Sequence, residues 1–76
     1  MNVKEENNKQ FKTMYENLKS MRQSKGWSIE ELSEISGIHK KILTRIENGE
    51  DITLQHLFRL CRIYEVSLHE IFFCPG

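Results

Sequence analysis

The chain has 76 residues, of which 38% are hydrophobic and 29% are charged, and these proportions suit a single small globular domain. Eleven basic and eleven acidic side chains leave no net charge at pH 7, whereas domains that bind nucleic acid usually carry a basic excess. No apolar run is long enough to span a membrane, and the polar N-terminus lacks the features of a signal peptide. A cytoplasmic protein without membrane association is therefore predicted.

The first helix is predicted by apolar residues that recur at the spacing of one helix face, namely Phe11, Met14, Tyr15, Leu18 and Met21. It should begin near Asn8 and stop around Lys25, because Gly26 can adopt the left-handed conformation that ends a helix. Residues 1–8 are expected to form a loosely ordered extension of a domain that covers residues 9–76.

A second helix is predicted to start after Ser28, which is a good N-cap, and to run to about residue 36. Glu31 lies at the position that completes a capping box with Ser28, and Trp27 can pack on Leu32 as a hydrophobic staple. Local sequence thus specifies the start of this helix in two independent ways.

Glycines separate the second, third and fourth helices. A third helix is predicted from Ile38 to Asn48, between Gly37 and Gly49, and Thr53 then caps a fourth helix. The apolar positions of the third helix are Ile42, Leu43 and Ile46. The inward face of the fourth helix is predicted to consist of Leu54, Leu57, Leu60, Cys61 and Tyr64.

A short fifth helix that ends near Phe73 is predicted by a second capping box, Ser67 with Glu70, and a second staple, Val66 with Ile71. No stretch alternates with period two for long enough to predict a strand. The sequence therefore predicts an all-α fold of five helices.

The second and third helices give the strongest functional signal, because two short helices joined by a tight glycine-containing turn are typical of a helix-turn-helix. Ser33 is small where the two helices must approach closely, and Gly37 provides the turn. Apolar residues stand where the pair must pack on the core, at Leu32, Ile38, Leu43 and Ile46. In such a unit the start of the second helix of the pair enters the DNA major groove, which is about 12 Å wide.

From Leu18 to Phe72 the chain resembles the Cro/C1-type (XRE) helix-turn-helix domain of phage repressors and many bacterial regulators. The resemblance rests on Leu18 and Arg22, on the segment SIEELSEISGI, on RIENG at residues 45–49, and on VSLHEIF. It implies a five-helix fold like that of the lambda repressor, in which the second and third helices bind DNA.

The resemblance also implies which residues contact DNA. Base edges would be contacted by residues near the start of the recognition helix, namely His39, Lys40, Lys41, Thr44 and Arg45. Phosphates would be contacted by Ser28, Ile29, Asn48 and Thr53. Because lysine and arginine favour O6 and N7 of guanine, a half-site containing guanine is expected. Arg22 and Glu47 match a family pair that ties the first helix to the end of the third, and they are expected to form a structural salt bridge.

Several residues depart from the family pattern. Ile29 stands where glutamine often opens the second helix, and His39 replaces the usual serine or threonine cap of the recognition helix. Glu50 and Asp51 place negative charge in a loop expected to lie near phosphates. Glu65 stands where glycine commonly ends the fourth helix, which indicates a strained left-handed conformation.

Three large apolar residues, Phe58, Ile63 and Phe73, fall off the inward faces of their helices. They predict a surface for self-association on the fourth and fifth helices, and the alternative is a monomer that simply exposes them. A two-fold homodimer would place two recognition helices about 34 Å apart, the spacing of a palindromic operator.

No metal site or cofactor is predicted. Cys61 and Cys74 have no metal-ligand partners at zinc-finger spacing, so a buried Cys61 and a free thiol at Cys74 are expected. The histidines His39, His56 and His69 are well separated along the chain and indicate surface residues.

The leading functional prediction is a sequence-specific DNA-binding regulator of transcription, a repressor or a dual-acting controller, with double-stranded DNA and a second copy as partners. The alternative is a protein-interaction module, such as an antitoxin or an anti-repressor partner, that keeps the helix pair as a scaffold. Zero net charge and the acids at positions 50 and 51 favour this alternative. No enzyme is predicted, because no candidate catalytic group has a pocket to occupy, and no small-molecule effector domain is expected.

Overall fold

The computed structural model describes the backbone of residues 3–74 and the side chains of residues 10–74. This part of the chain consists of five α-helices: Val3–Ser24 (α1), Ile29–Ser36 (α2), Lys40–Glu47 (α3), Leu54–Tyr64 (α4) and Leu68–Phe73 (α5). The all-α fold of five helices is thereby confirmed. No described helix is both long enough and apolar enough to cross a membrane.

Helix α1 begins at Val3, earlier than the predicted start near Asn8. The prediction followed the apolar spacing that starts at Phe11, whereas residues 3–10 are mostly polar and contain no glycine or proline that would stop a helix. Residues 1–2 of the predicted loose extension lie outside the described residues. At the other end, Gly26 has a φ of 74°, the left-handed conformation predicted for this position.

The core is built from side chains of all five helices and of the turn between α2 and α3. Its most deeply buried members are Met14, Leu18, Leu32, Ile38, Leu43, Ile46, Leu60 and Ile71. Every apolar residue predicted to hold the helix pair on the core is among them. Each such side chain contributes roughly 1.5–3 kcal/mol through burial, so tertiary packing supplies most of the stability of helices this short.

The prediction that Leu54 belongs to the inward face of α4 is wrong. Leu57, Leu60, Cys61 and Tyr64 of α4 are buried, but Leu54 is 63% exposed. Leu54 is the first residue of α4. The apolar face of the helix continues as far as this residue, but the neighbouring helices do not reach far enough to cover it. The burial of Cys61 and the exposure of the free thiol of Cys74 agree with the sequence.

Both predicted capping boxes are present. The Glu31 backbone N–H donates to Ser28 Oγ at 3.0 Å, and the Ser28 N–H donates to Glu31 Oε1 at 3.1 Å. Ser67 and Glu70 repeat this reciprocal pattern at the start of α5. These bonds satisfy backbone donors that would otherwise have no partner within the helix.

A buried amide joins the first helix to the last. Asn17 of α1 is 4% exposed, and its Nδ2 donates to the Ile71 carbonyl at 2.8 Å and to the Cys74 carbonyl at 3.2 Å. The same two helices also contact each other through the rings of Phe11 and Phe72, which meet edge to face with centroids 5.7 Å apart. Asn17 thereby fixes the last turn of α5 against α1.

An ion pair joins α1 to the end of α3. Arg22 Nε and Nη2 donate to the two carboxylate oxygens of Glu47 at 2.8 and 2.9 Å, while Nη1 donates to the Trp27 carbonyl at 2.7 Å. The Arg22 and Glu47 side chains are only 14% and 9% exposed. The hydrogen bonds to Glu47 raise the pKa of Arg22 above its ordinary value, so the guanidinium keeps its proton.

Tyr64 lies next to this ion pair. Its ring stacks on Trp27, with centroids 6.1 Å apart, a partner that the sequence did not indicate for Trp27. The Tyr64 hydroxyl is buried and has no hydrogen-bond partner among the described residues. Burial and the charge of Glu47 both raise the pKa of Tyr64, so this hydroxyl stays neutral beside the ion pair.

Glu65 ends α4 in the left-handed conformation that the sequence indicated, with a φ of 57°. Its backbone N–H donates to the Arg62 carbonyl at 3.2 Å, and the Val66 N–H donates to the Cys61 carbonyl at 3.0 Å. These bonds close the helix in the usual way for a left-handed cap, although the position carries a side chain rather than glycine.

Replacing Glu65 by glycine should raise the free energy of unfolding by about 1 kcal/mol, because the left-handed conformation costs a residue with a β-carbon roughly 1–2 kcal/mol. Urea denaturation measures the change. Glu65→Ala is the matched control, since it removes the same charge and keeps the β-carbon. Equal stability of the glycine and alanine variants would show that the turn is not strained.

Replacing Glu47 by alanine should lower the free energy of unfolding by about 3 kcal/mol, because it leaves the mostly buried Arg22 guanidinium without its carboxylate. Glu16→Ala removes an exposed acid of α1 and should change stability by roughly 0.5 kcal/mol or less. Urea denaturation of both variants makes the comparison. A Glu47 variant as stable as this control would contradict a structural role for the ion pair.

Candidate nucleic-acid interface

The turn between α2 and α3 is closed by hydrogen bonds of its own residues. Gly37 has a φ of 73°, and its N–H donates to the Ser33 carbonyl at 2.9 Å. Ser33 Oγ donates to the Ile38 carbonyl at 2.7 Å, and the Ile38 N–H donates to Ser36 Oγ at 3.1 Å. Ser33 is therefore more than a small residue at a close approach, because its hydroxyl bonds α2 to the turn.

Helix α3 runs from Lys40 to Glu47 and is shorter at both ends than the predicted span from Ile38 to Asn48. His39 is the N-cap, and its Nδ1 accepts a hydrogen bond from the Lys41 N–H at 3.1 Å. The imidazole thus supplies the acceptor that serine or threonine usually provides. Asn48 follows the helix as its C-cap.

The outer face of α3 is basic. Leu43 and Ile46 point into the core, whereas the exposed residues of the helix are Lys40, Lys41, Thr44 and Arg45. The Thr44 hydroxyl donates to the Lys40 carbonyl at 2.9 Å. The helix therefore presents three positive charges to solvent on the face opposite its buried side chains.

A groove of about 680 Å³ follows this face of α3 and the start of α2, and we call it the α2–α3 groove. It is lined by Arg22, Ser28, Ile29, Glu30, Lys40, Lys41, Thr44, Arg45, Asn48 and Glu50. All the residues predicted to contact DNA line it except His39 and Thr53. Side chains that are far apart in sequence are thus brought to one concave surface.

The two exceptions have local roles. His39 is exposed at the start of α3, where it caps the helix. Thr53 Oγ1 caps α4 by accepting from the His56 N–H at 3.1 Å. Thr53 lines a neighbouring groove, together with Arg45 and Glu50, which line both grooves. The predicted phosphate contact at Thr53 therefore lies on a surface continuous with the α2–α3 groove.

Two acids oppose the basic residues of the α2–α3 groove. Glu50 follows α3, and its backbone N–H donates to the Arg45 carbonyl at 2.9 Å, so the chain turns back beside that helix. Glu30, in the first turn of α2, lines the same groove, and its charge contributes to the raised pKa of Arg22. Sequence reasoning did not single out Glu30, although its position next to Ile29 was a signal.

The residues predicted for self-association fall into two groups. Phe58, which is 45% exposed, and the half-buried Ile63 line a groove between α2 and α4. Phe73 is 53% exposed on α5, where its ring lies 5.1 Å from that of His69 and 6.4 Å from that of Phe72. Phe73 does not line the groove that Phe58 and Ile63 share.

Comparison with known proteins agrees with this geometry. The model of the helix-turn-helix family of the Cro/C1 (XRE) type matches residues 18–71, most of the chain. The matched region contains α2, α3 and α4, the Arg22–Glu47 ion pair and the whole α2–α3 groove. No curated protein sequence and no solved structure shows significant similarity to the chain. The chain therefore belongs to the Cro/C1-type helix-turn-helix family of DNA-binding regulators and has its lambda-repressor-like, all-α fold.

Proposed function

We propose that the protein is a sequence-specific transcriptional regulator that inserts the outer face of α3 into the major groove and represses by binding a palindromic operator as a dimer. The observation that supports this most strongly is the α2–α3 groove. Lys40, Lys41 and Arg45 are exposed there on one helix face, and the Arg22–Glu47 pair anchors the end of that helix to α1.

The base-reading role falls to the basic residues of α3. Lysine and arginine side chains donate to O6 and N7 of guanine, so Lys40, Lys41 and Arg45 favour half-sites that contain guanine. The hydroxyl of Thr44 already donates to the Lys40 carbonyl, which leaves its methyl group for apolar contact with a thymine methyl. His39, at the start of the helix, is the remaining base-contact candidate.

Phosphate binding falls to Ser28, Ile29, Asn48 and Thr53. Ile29 has no polar side-chain atom, so its contribution comes from its backbone and from the positive end of the α2 dipole. These contacts would set the register of α3 on the duplex without reading sequence. Glu30 and Glu50 line the same surface and would repel phosphates, which lowers the affinity of a single copy for DNA. Binding by two linked copies would compensate for this loss of affinity.

A protein-interaction role, as in an antitoxin or an anti-repressor partner, is the second candidate. The observation that favours it is the exposed apolar surface between α2 and α4, where Ile35 is 49% and Phe58 is 45% exposed. A chain of zero net charge also lacks the strong non-specific attraction to DNA that most DNA-binding domains have.

Titration of the protein against DNA from upstream of the protein's own gene should give a specific complex with a submicromolar dissociation constant. The affinity of this complex should fall steeply as the salt concentration rises. Lys40→Ala or Arg45→Ala should weaken that complex about 5- to 150-fold, the value of one good base contact. Lys12→Ala removes the same charge from an exposed position outside the α2–α3 groove and should have little effect. Binding no tighter than to random DNA at every salt concentration would refute the regulator and favour the second candidate.

Replacing Glu50 by glutamine should tighten binding to specific and random DNA alike, by about 3- to 10-fold at low salt, because a charge that repels phosphate is lost. The slope of log affinity against log salt concentration should steepen by about the amount that one additional phosphate contact contributes. Glu65→Gln is the matched control, since Glu65 is exposed but lies outside the groove. An unchanged affinity for Glu50→Gln would place Glu50 away from the bound duplex.

A further inference from the structure

A groove of about 500 Å³ lies between α2 and α4, and we call it the α2–α4 groove. Its apolar lining comes from Ile35 of α2 and from Phe58 and Ile63 of α4. Ile35 and Phe58 are each about half exposed. Large apolar side chains that gather on a concave surface and remain this exposed are typical of a site where a partner binds.

The charged lining of this groove is entirely basic. Arg59 and Arg62 line its α4 side, and no acid in the described part of the chain lines it. Glu34 is exposed on α2 but lies outside the groove. The groove is therefore a local positive patch in a chain whose net charge is zero.

Both arginines have hydrogen-bond donors available to a partner. Arg62 is exposed, and its side chain makes no hydrogen bond or ion pair with any described residue. Arg59 Nη1 donates to the Ser36 carbonyl at 3.3 Å, and its other N–H groups have no partner among the described residues. A guanidinium can bind a carboxylate through two parallel hydrogen bonds, so the groove offers two carboxylate-binding groups beside apolar side chains.

We propose that the α2–α4 groove binds an acidic amphipathic helix of a different protein. Apolar residues of that helix would pack on Ile35 and Phe58, and its carboxylates would pair with Arg59 and Arg62. Helices α2 and α4 have 8 and 11 residues, so the walls of the groove are about 12 and 16 Å long. A partner helix of about three turns fits this length and presents apolar residues at i, i+4 and i+7.

Other occupants match the groove less well. In a two-fold contact each surface meets itself, so a second copy would bring Arg59 and Arg62 of both chains together with no acid between them. The phosphates of a nucleic acid could pair with the arginines, but a sugar–phosphate backbone has no apolar group to cover Ile35. Aromatic residues and arginine together are typical of the centres of protein–protein interfaces.

The inference goes beyond the proposed regulator and does not depend on it. No residue lines both the α2–α4 groove and the α2–α3 groove. A partner bound between α2 and α4 would therefore leave the proposed DNA-binding surface open, and the two surfaces can be tested one at a time.

A synthetic peptide tests the α2–α4 groove. The probe is an alanine-based helix of about 15 residues, with leucines at i, i+4 and i+7 and glutamates on both sides of that stripe. In a heteronuclear NMR titration of the isotope-labelled chain, it should cause saturable shifts in α2 and α4, with a dissociation constant on the order of 100 μM. A matched peptide with lysines in place of the glutamates should bind at least about tenfold more weakly.

Charge reversal in the groove provides the second arm. Arg62→Glu should weaken binding of the acidic peptide about tenfold or more and strengthen binding of the lysine peptide, because the charge facing them is reversed. Phe58→Ser should weaken binding of the acidic peptide. Lys12→Glu makes the same change of charge at an exposed position outside the groove and should leave its affinity unchanged. The same spectra report whether each variant is folded.

Several outcomes would overturn the inference. These are an acidic peptide that does not bind at millimolar concentration, equal binding of the two peptides, and shifts confined to other surfaces. A short oligonucleotide that displaces the peptide would identify a site for nucleic acid instead. Self-association that Phe58→Ser abolishes in sedimentation equilibrium would assign the groove to a second copy.

DNA binding is measured separately, with the Lys40→Ala titration. A chain that binds specific DNA but not the acidic peptide would refute the docking groove and leave the regulator intact. A chain that binds the acidic peptide between α2 and α4 but no specific DNA would refute the regulator and leave the docking groove intact. The two outcomes are thus distinguishable.

Discussion

The two hydrogen bonds from Arg22 to Glu47 join α1 to the end of α3, and the third, to the Trp27 carbonyl, adds the loop before α2. Three segments of chain therefore meet at one guanidinium. A planar guanidinium matches a carboxylate with two parallel bonds and so fixes orientation as well as distance. Because both groups are mostly buried, any rearrangement of α3 would leave a charge without its partner. The orientation of α3, the helix proposed to bind DNA, depends on this contact.

Helix α3 has eight residues, and a helix of that length is not stable alone in water. Its shape comes from its surroundings: Leu43 and Ile46 in the core, the His39 cap at its start and the Glu47 anchor at its end. One face of the helix is thus packed on the core, and the opposite face exposes Lys40, Lys41 and Arg45. Stability and the proposed recognition of DNA are divided between the two faces of one helix.

Charge is segregated by helix in a chain whose total charge is zero. The exposed residues of α2 are largely acidic, whereas those of α3 are largely basic. Such a protein gains little from general attraction to the phosphate backbone, so its affinity for DNA must come from local contacts.

The sequence by itself determined the helices, their caps and the residues that fill the core, because these depend on local spacing, on N-cap chemistry and on apolar periodicity. The left-handed Glu65 and the inward Leu32, Ile38, Leu43 and Ile46 were predicted on that basis. Only the tertiary structure decided which other parts of the chain each helix contacts. Periodicity says which side of a helix is apolar but not how far its neighbours extend, so Leu54 was wrongly placed. Equally, no local pattern records how distant segments meet. Examples are the hydrogen bonds from Asn17 to α5, the stacking of Trp27 on Tyr64 and the position of Glu30 in the α2–α3 groove.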